Sequence, residues 1–67
     1  MKLIELHYDG SPFSLNVDYI AAVYQSEYGG CEVYMVGDVK GEQWNADESY
    51  EEVLRLIKEA SNNVHNI

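Results

Sequence analysis

The spacing of apolar residues changes near the C-terminal end of this chain, and that change limits what the chain can fold into. Up to the segment "EQWNA", apolar and polar residues alternate in short runs such as "LIELHY" and "CEVYMV", which is the period of a half-buried strand. From "ESYEEV" onward, apolar residues recur at helical spacing, as at Tyr50, Val53, Ile57 and Ala60. Runs of strands followed by one helix predict an α+β fold rather than a parallel sheet.

Glycine-containing turns divide the alternating runs. Asp9-Gly10 and Gly29-Gly30 are typical of tight hairpin turns, because glycine readily adopts the positive φ angle that such turns require. The segment "GDVKG" makes a further reversal before "EQWNA". The sequence therefore predicts a single domain over residues 1–67. It consists of a small antiparallel sheet of four to five strands with one C-terminal helix packed on one face, and residues 61–67 form a frayed tail.

The inward positions of this pattern give an expected core. That core is thin, because a chain of this size buries only about 60% of its unfolded surface. We expect Trp44 to point inward from the closing strand. The predicted core residues are Ile4, Leu6, Phe13, Leu15, Ile20, Val33, Met35, Trp44, Val53 and Ile57.

Four polar residues are predicted to shape the backbone rather than to perform chemistry. Asn16 and Asp18 stand where regular strand pairing is expected to stop, and their side-chain oxygens can bond nearby backbone amides. The apolar spacing just after them favours a helical turn or a bulge before the next strand. Ser49 and Glu52 fit a capping box, in which the hydroxyl and the carboxylate each accept a hydrogen bond from an otherwise unpaired amide.

Charge and composition narrow the class of partner. The formal net charge of -8 repels phosphate backbones, so we expect no direct nucleic-acid binding. The chain has no apolar run long enough for a membrane span and no leader pattern, and the single Cys31 cannot form an internal disulfide. We therefore expect a cytoplasmic protein without membrane insertion. The acidic surface also leaves open an alternative function, a decoy that mimics DNA and occupies a nucleic-acid-binding protein.

The residues that could carry catalysis or hold a metal are sparse. Cys31 and His7 could form a thiolate pair, but alternation places the cysteine on an apolar strand face, where burial raises the pKa of a thiol. His65 lies in the predicted tail, and neither histidine belongs to a metal-ligand motif. The acids near the helix start are explained by capping and by the helix dipole. We predict no catalytic residue, no metal site and no cofactor, and hence a protein that is not an enzyme.

Two segments of this chain resemble a known family. "FSLNVDYIAAV", followed later by "ESYEEVLRLI", is similar to the FlbD family of small flagellar and swarming-motility proteins. The resemblance extends roughly from Lys2 to Lys58 and implies a hairpin, a corner, a second hairpin and a helix. It also implies a small non-enzymatic accessory protein. The matching residues are Gly10, Phe13, Leu15, Asn16, Asp18, Ile20, Val23, Glu48, Ser49, Glu51, Glu52 and Val53.

The sheet face turned away from the helix is predicted to bind a protein partner. Alternation places a mixture of apolar, aromatic and charged residues there, which is typical of interfaces. We predict Tyr34 as the anchor, with Leu3, His7 and Val36 beside it. A homodimer is the simplest version, because pairing would also enlarge the thin core. The alternative is that loops or the C-terminal tail cover this face.

Overall fold

The computed structural model describes residues 2–62, which form five antiparallel strands and one C-terminal α-helix. The predicted α+β class is therefore confirmed. Residues 61 and 62 belong to the helix, and the rest of the predicted frayed tail lies outside the described residues. In chain order the elements are β1 (Leu3–Tyr8), β2 (Ser11–Asn16), a 3₁₀ turn (Val17–Tyr19), β3 (Ile20–Gln25), β4 (Cys31–Met35), β5 (Trp44–Ala46) and α1 (Tyr50–Asn62).

The prediction of a single sheet is wrong, because the strands form two sheets. β1 and β2 make a two-stranded sheet, and β3, β4 and β5 make a three-stranded sheet with β4 in the centre. The 3₁₀ turn separates β2 from β3, and β3 pairs with β4 instead of continuing the first sheet. One backbone hydrogen bond joins each hairpin to this turn region: the amide of Val17 donates to Lys2, and the amide of Val36 donates to Tyr19.

The first turn and the corner have the predicted local chemistry. Asp9 and Gly10 both have positive φ angles, 51° and 83°, as a two-residue hairpin turn requires. Asn16 caps the 3₁₀ turn, because its side-chain oxygen accepts a hydrogen bond from the amide of Asp18 at 2.9 Å. The Asp18 carboxylate instead lies 3.4 Å from the ammonium of Lys2. The predicted bulge is present as a register shift between Ile20 and Ala22.

The core is shared by both sheets and the helix. The buried residues are Ile4, Leu6, Leu15, Cys31, Val33, Ala46 and Val53. All of them except Cys31 and Ala46 belong to the list of predicted core residues. Four more predicted residues pack against this cluster and are partly buried: Phe13, Ile20, Met35 and Ile57. Trp44 is the exception. It is the register partner of buried Val33 and stacks on Phe13, yet it remains 47% exposed, because it is the first residue of a short strand.

The helix start confirms one half of the predicted capping box and contradicts the other. The Ser49 hydroxyl accepts a hydrogen bond from the amide of Glu52 at 3.1 Å. The Glu52 carboxylate does not return to Ser49; it accepts from the Arg55 Nε at 3.0 Å, and Arg55 also donates to Glu59. A guanidinium one turn along offers paired, charge-assisted hydrogen bonds, which are stronger than one bond to an exposed amide. The helix packs against β1, β3 and the 3₁₀ turn.

Candidate functional site

The four predicted interface residues do not share one sheet face. Leu3 and His7 lie on the outward side of β1, in the two-stranded sheet, whereas Tyr34 lies on β4 in the three-stranded sheet. Val36 follows β4 and is exposed. The predicted face assumes that both hairpins belong to one sheet. Because the hairpins form two separate sheets, the four predicted interface residues are split between them.

The outward side of the three-stranded sheet carries an aromatic surface centred on Tyr34. Tyr34 faces Ala22 across the strands, and Tyr24 faces Glu32 in the same way, so the four side chains share one side of the sheet. The rings of Tyr24 and Tyr34 meet edge to face, with centroids 5.6 Å apart and planes at 88°. We call this surface the tyrosine face. Its residues line an open groove of about 560 Å³, and they are Ala22, Tyr24, Glu32, Tyr34 and Lys40.

Local geometry after β4 brings a cation to this face. The Asp38 carboxylate accepts a hydrogen bond from the amide of Met35 at 2.9 Å, and the amide of Asp38 donates to the carbonyl of Met35 at 3.0 Å. Gly37 between them has a φ angle of 92°, which a side chain rarely adopts. The resulting tight turn directs the following loop so that Lys40 lines the groove beside Tyr34.

A second aromatic surface lies where the start of β2 meets the start of β5. The rings of Phe13 and Trp44 stack with centroids 5.4 Å apart and an interplanar angle of 22°. Tyr8 and Pro12 lie beside them, and Tyr8 is exposed. We call this surface the aromatic groove. It has a volume of about 510 Å³ and is lined by Tyr8, Asp9, Ser11, Pro12, Phe13, Gln43, Trp44 and Asn45.

A polar junction connects the first hairpin to the helix start. The Nδ1 of His7 lies 2.6 Å from one carboxylate oxygen of Glu48, and the amide of His7 donates to the other at 2.9 Å. The amide of Asp47 donates to the carbonyl of His7 at 2.6 Å. The Asp47 carboxylate accepts from the amides of Asp9 and Gly10 at 3.0 and 2.9 Å. The consecutive acids Asp47 and Glu48 therefore bind the turn end of the first hairpin through hydrogen bonds.

These contacts shift the pKa values of the groups involved. The hydrogen bond to Glu48 raises the pKa of His7, and the neighbouring carboxylates add to that shift. Partial burial alone would raise the pKa of Glu48, but hydrogen bonds from the ring and backbone of His7 lower it overall. The backbone amides of Gly10 and Asp9 lower the pKa of Asp47. The junction therefore favours an ionised Glu48 beside a protonated His7.

The structure gives the surroundings of the two residues considered for catalysis, Cys31 and His7. Cys31 is buried, and desolvation raises the pKa of its thiol. A smaller fraction of the thiol is therefore in the reactive thiolate form. The Nδ1 of His7 is hydrogen-bonded to the Glu48 carboxylate. Within residues 2–62, no group of three or more His, Cys, Asp or Glu side chains is placed to hold a metal ion. No helix in that part of the chain is long and apolar enough to cross a membrane.

Reasoning from the sequence missed three residues of these surfaces. Tyr24 was not assigned to the interface, although its spacing from Ala22 on β3 would place it on the same side. The pattern assigns Trp44 to the core, because alternation gives the side of a strand that a residue occupies and not how near the residue lies to the strand end. Glu48 was assigned to the helix start, and its contact with His7 spans 41 residues, which no local pattern reveals.

No protein-family model, curated protein or solved structure matches this chain.

Proposed function

We propose that this chain is a small non-enzymatic protein-interaction module and that the tyrosine face is its docking surface. The observation that carries the proposal is the edge-to-face pair of Tyr24 and Tyr34, with Tyr24 56% exposed at the open side of the sheet. Tyrosine combines a large apolar ring with a polar tip and is enriched in protein interfaces. The pair is also held by the sheet, so binding costs little side-chain entropy.

Self-association is the form of docking that the charges of this face support. Glu32 and Lys40 line the same groove and have opposite charges. In a two-fold symmetric pair the same patch meets itself, so Glu32 of one copy can approach Lys40 of its partner, and the reverse. The face is thus complementary in charge to itself, even though each chain has a net charge of -8. An unrelated protein partner remains the other form of the proposal.

Light scattering over a concentration series tests this docking surface. We expect the wild-type chain to associate and Tyr34→Glu to stay monomeric, because the substitution places a charge in the centre of the face. Tyr28→Glu is the matched control: it makes the same change at a residue that is 91% exposed and outside the tyrosine face, so association should persist. Loss of association in both variants would mean that added charge alone, and not the tyrosine face, controls it.

A charge reversal sharpens the test of self-association. Glu32→Lys and Lys40→Glu should each weaken association, since each places like charges opposite one another. The double variant should restore it, because each exposed pair contributes about 0.2–1 kcal/mol and two pairs form across the symmetric contact. If the wild type is monomeric throughout and Tyr34→Glu retains partner binding in an affinity purification, the tyrosine face is not the docking surface.

The same purification addresses the alternative of an acidic decoy. A decoy binds through exposed carboxylates, and such binding falls steeply as salt rises, because charges are screened beyond about 8–10 Å at physiological ionic strength. Docking through the tyrosine face should be less sensitive to salt, because salt does not screen contacts between apolar ring surfaces. The resemblance to FlbD supports an accessory role, and motility is the process we propose to assay first, by comparing swarming of the native host with and without this chain.

A further inference from the structure

The aromatic groove and the tyrosine face differ in charge. The tyrosine face includes Lys40, whereas the described residues that line the aromatic groove include the acid Asp9 and neither lysine nor arginine. The two surfaces share no residue. The aromatic groove therefore combines aromatic and neutral polar side chains with a single negative charge, and the net charge of the whole chain has the same sign. Such a surface attracts a basic ligand.

The arrangement of Trp44 is suited to a planar cation. Phe13 stacks on the indole, while 47% of the Trp44 surface stays exposed to the groove and solvent. Among aromatic rings, the indole attracts cations most strongly. Arginine suits this site better than lysine, because its flat guanidinium stacks on an aromatic ring and also donates paired hydrogen bonds to a carboxylate. Asp9, which lines the same groove, provides that carboxylate.

We infer that the aromatic groove binds an arginine side chain presented by an extended segment of a partner protein. The inference rests on the proposed role in protein interaction, but it does not depend on the tyrosine face. A groove of about 510 Å³ is open and large enough for the guanidinium together with a neighbouring side chain. Tyr8 and Pro12 supply the apolar surface for that neighbour.

Fluorescence titration tests the inference directly, because Trp44 is the only tryptophan in the chain. The probe is a capped pentapeptide with a central arginine between two prolines, since proline keeps the peptide extended. We expect a saturable change in Trp44 emission. The same peptide with citrulline, the neutral analogue of arginine, should bind about tenfold more weakly, which corresponds to about 1.4 kcal/mol. Equal binding of both peptides, or no saturable change, would overturn the inference.

A pair of matched variants tests whether the arginine of the peptide contacts the Asp9 carboxylate. Asp9→Asn removes the carboxylate and keeps a residue type that tolerates the φ angle of 51° found at this position. We expect it to weaken binding of the arginine peptide about fivefold, as loss of an exposed ion pair does. Glu27→Gln makes the same change in net charge at an exposed site outside the groove and should leave binding unchanged.

Two outcomes with these variants would contradict the inference. Equal weakening by Asp9→Asn and Glu27→Gln would mean general attraction to an acidic chain, and unchanged binding by Asp9→Asn would exclude Asp9 as the contact. Thermal unfolding followed by circular dichroism shows whether each variant is folded. A negative titration leaves the light-scattering test of the tyrosine face unaffected, because the two surfaces share no residue.

Discussion

The two hairpins are joined to the same short segment, residues 46–48, by different kinds of contact. The first hairpin is joined by hydrogen bonds and charge: Asp47 accepts from its turn amides, and Glu48 pairs with His7. The second hairpin is joined by strand pairing between Cys31 and Ala46 and by close backbone packing at Gly30. The first set of contacts includes ionisable side chains, whereas the second consists of backbone pairing and packing, which do not titrate. The two hairpins should therefore respond differently to pH and to added volume.

Gly30→Ala should produce the largest loss of stability, because it affects the packed junction. A Cβ atom at Gly30 would overlap the carbonyl oxygen of Ala46, and the residue has a φ angle of 72°. The backbone must shift to relieve this overlap. Overpacking and the left-handed backbone together cost about 2–4 kcal/mol. Chemical denaturation followed by circular dichroism measures the loss.

Gly29→Ala is the control for this prediction. Gly29 has a φ angle of 88°, but a Cβ atom there would meet nothing within 4 Å. The substitution should therefore cost only the backbone penalty, about 1–2 kcal/mol. The difference between the two variants isolates the contact with Ala46. Equal losses at the two glycines would mean that the backbone conformation, and not packing against the 46–48 segment, limits stability.

The polar junction should respond to pH. The raised pKa of His7 means that its contribution to stability is complete below its ordinary value of 6.5 and is lost as pH rises through the raised value. The lowered pKa of Glu48 means that its contribution is complete above 4.5 and is lost as pH falls through the lowered value. The pair therefore stabilises the fold most between pH 4.5 and 6.5.

Glu48→Gln should reduce stability within that window and much less at alkaline pH, where wild-type His7 is neutral. The loss should be smaller than that of Gly30→Ala, because glutamine can still accept the hydrogen bond from the His7 amide. Glu5→Gln is the matched control, since the Glu5 carboxylate lies 3.6 Å from the other ring nitrogen and is exposed. Its effect should be minor at every pH. A pH-independent loss in Glu48→Gln would show that the charge of this pair is unimportant.

The contrast between the junctions also explains what could be predicted from the sequence. Alternation in β1 and β4 identified the inward positions Ile4, Leu6 and Val33, because strand period depends on neighbouring residues only. The Asp9-Gly10 turn and the Ser49 cap are equally local. These features were predicted because each is specified within a few residues.

The rest of the fold and the site depends on contacts between distant residues. Alternation gives the side of a strand but not its partner strand, so the division into two sheets was not predicted. For the same reason the predicted interface joined Leu3 and His7 to Tyr34 across sheets that are separate. The aromatic groove forms only when β2 and β5 come together and Phe13 meets Trp44.

Ser49→Ala should produce the next smaller loss, because it affects the helix that follows the shared segment without touching either junction. The Ser49 hydroxyl accepts the hydrogen bond of the Glu52 amide, and loss of such a cap costs about 1 kcal/mol. Binding through the tyrosine face should persist, since Ser49 does not line it. If thermal unfolding is unchanged while partner binding is lost, Ser49 belongs to a binding surface and its role as a cap is wrong.

Glu52→Gln should have the smallest effect and separates the cap from the capping box. In a complete box, the Glu52 carboxylate would accept a hydrogen bond from Ser49, and its neutralisation would destabilise the helix start. In this chain the carboxylate pairs with Arg55, which also pairs with Glu59 at 2.6 Å. Arg55 therefore retains a partner after the substitution, and such exposed helix pairs contribute little. Unfolding by denaturant at low and high salt measures the effect. A loss of stability as large as that of Ser49→Ala, and unchanged by salt, would show that the complete capping box forms.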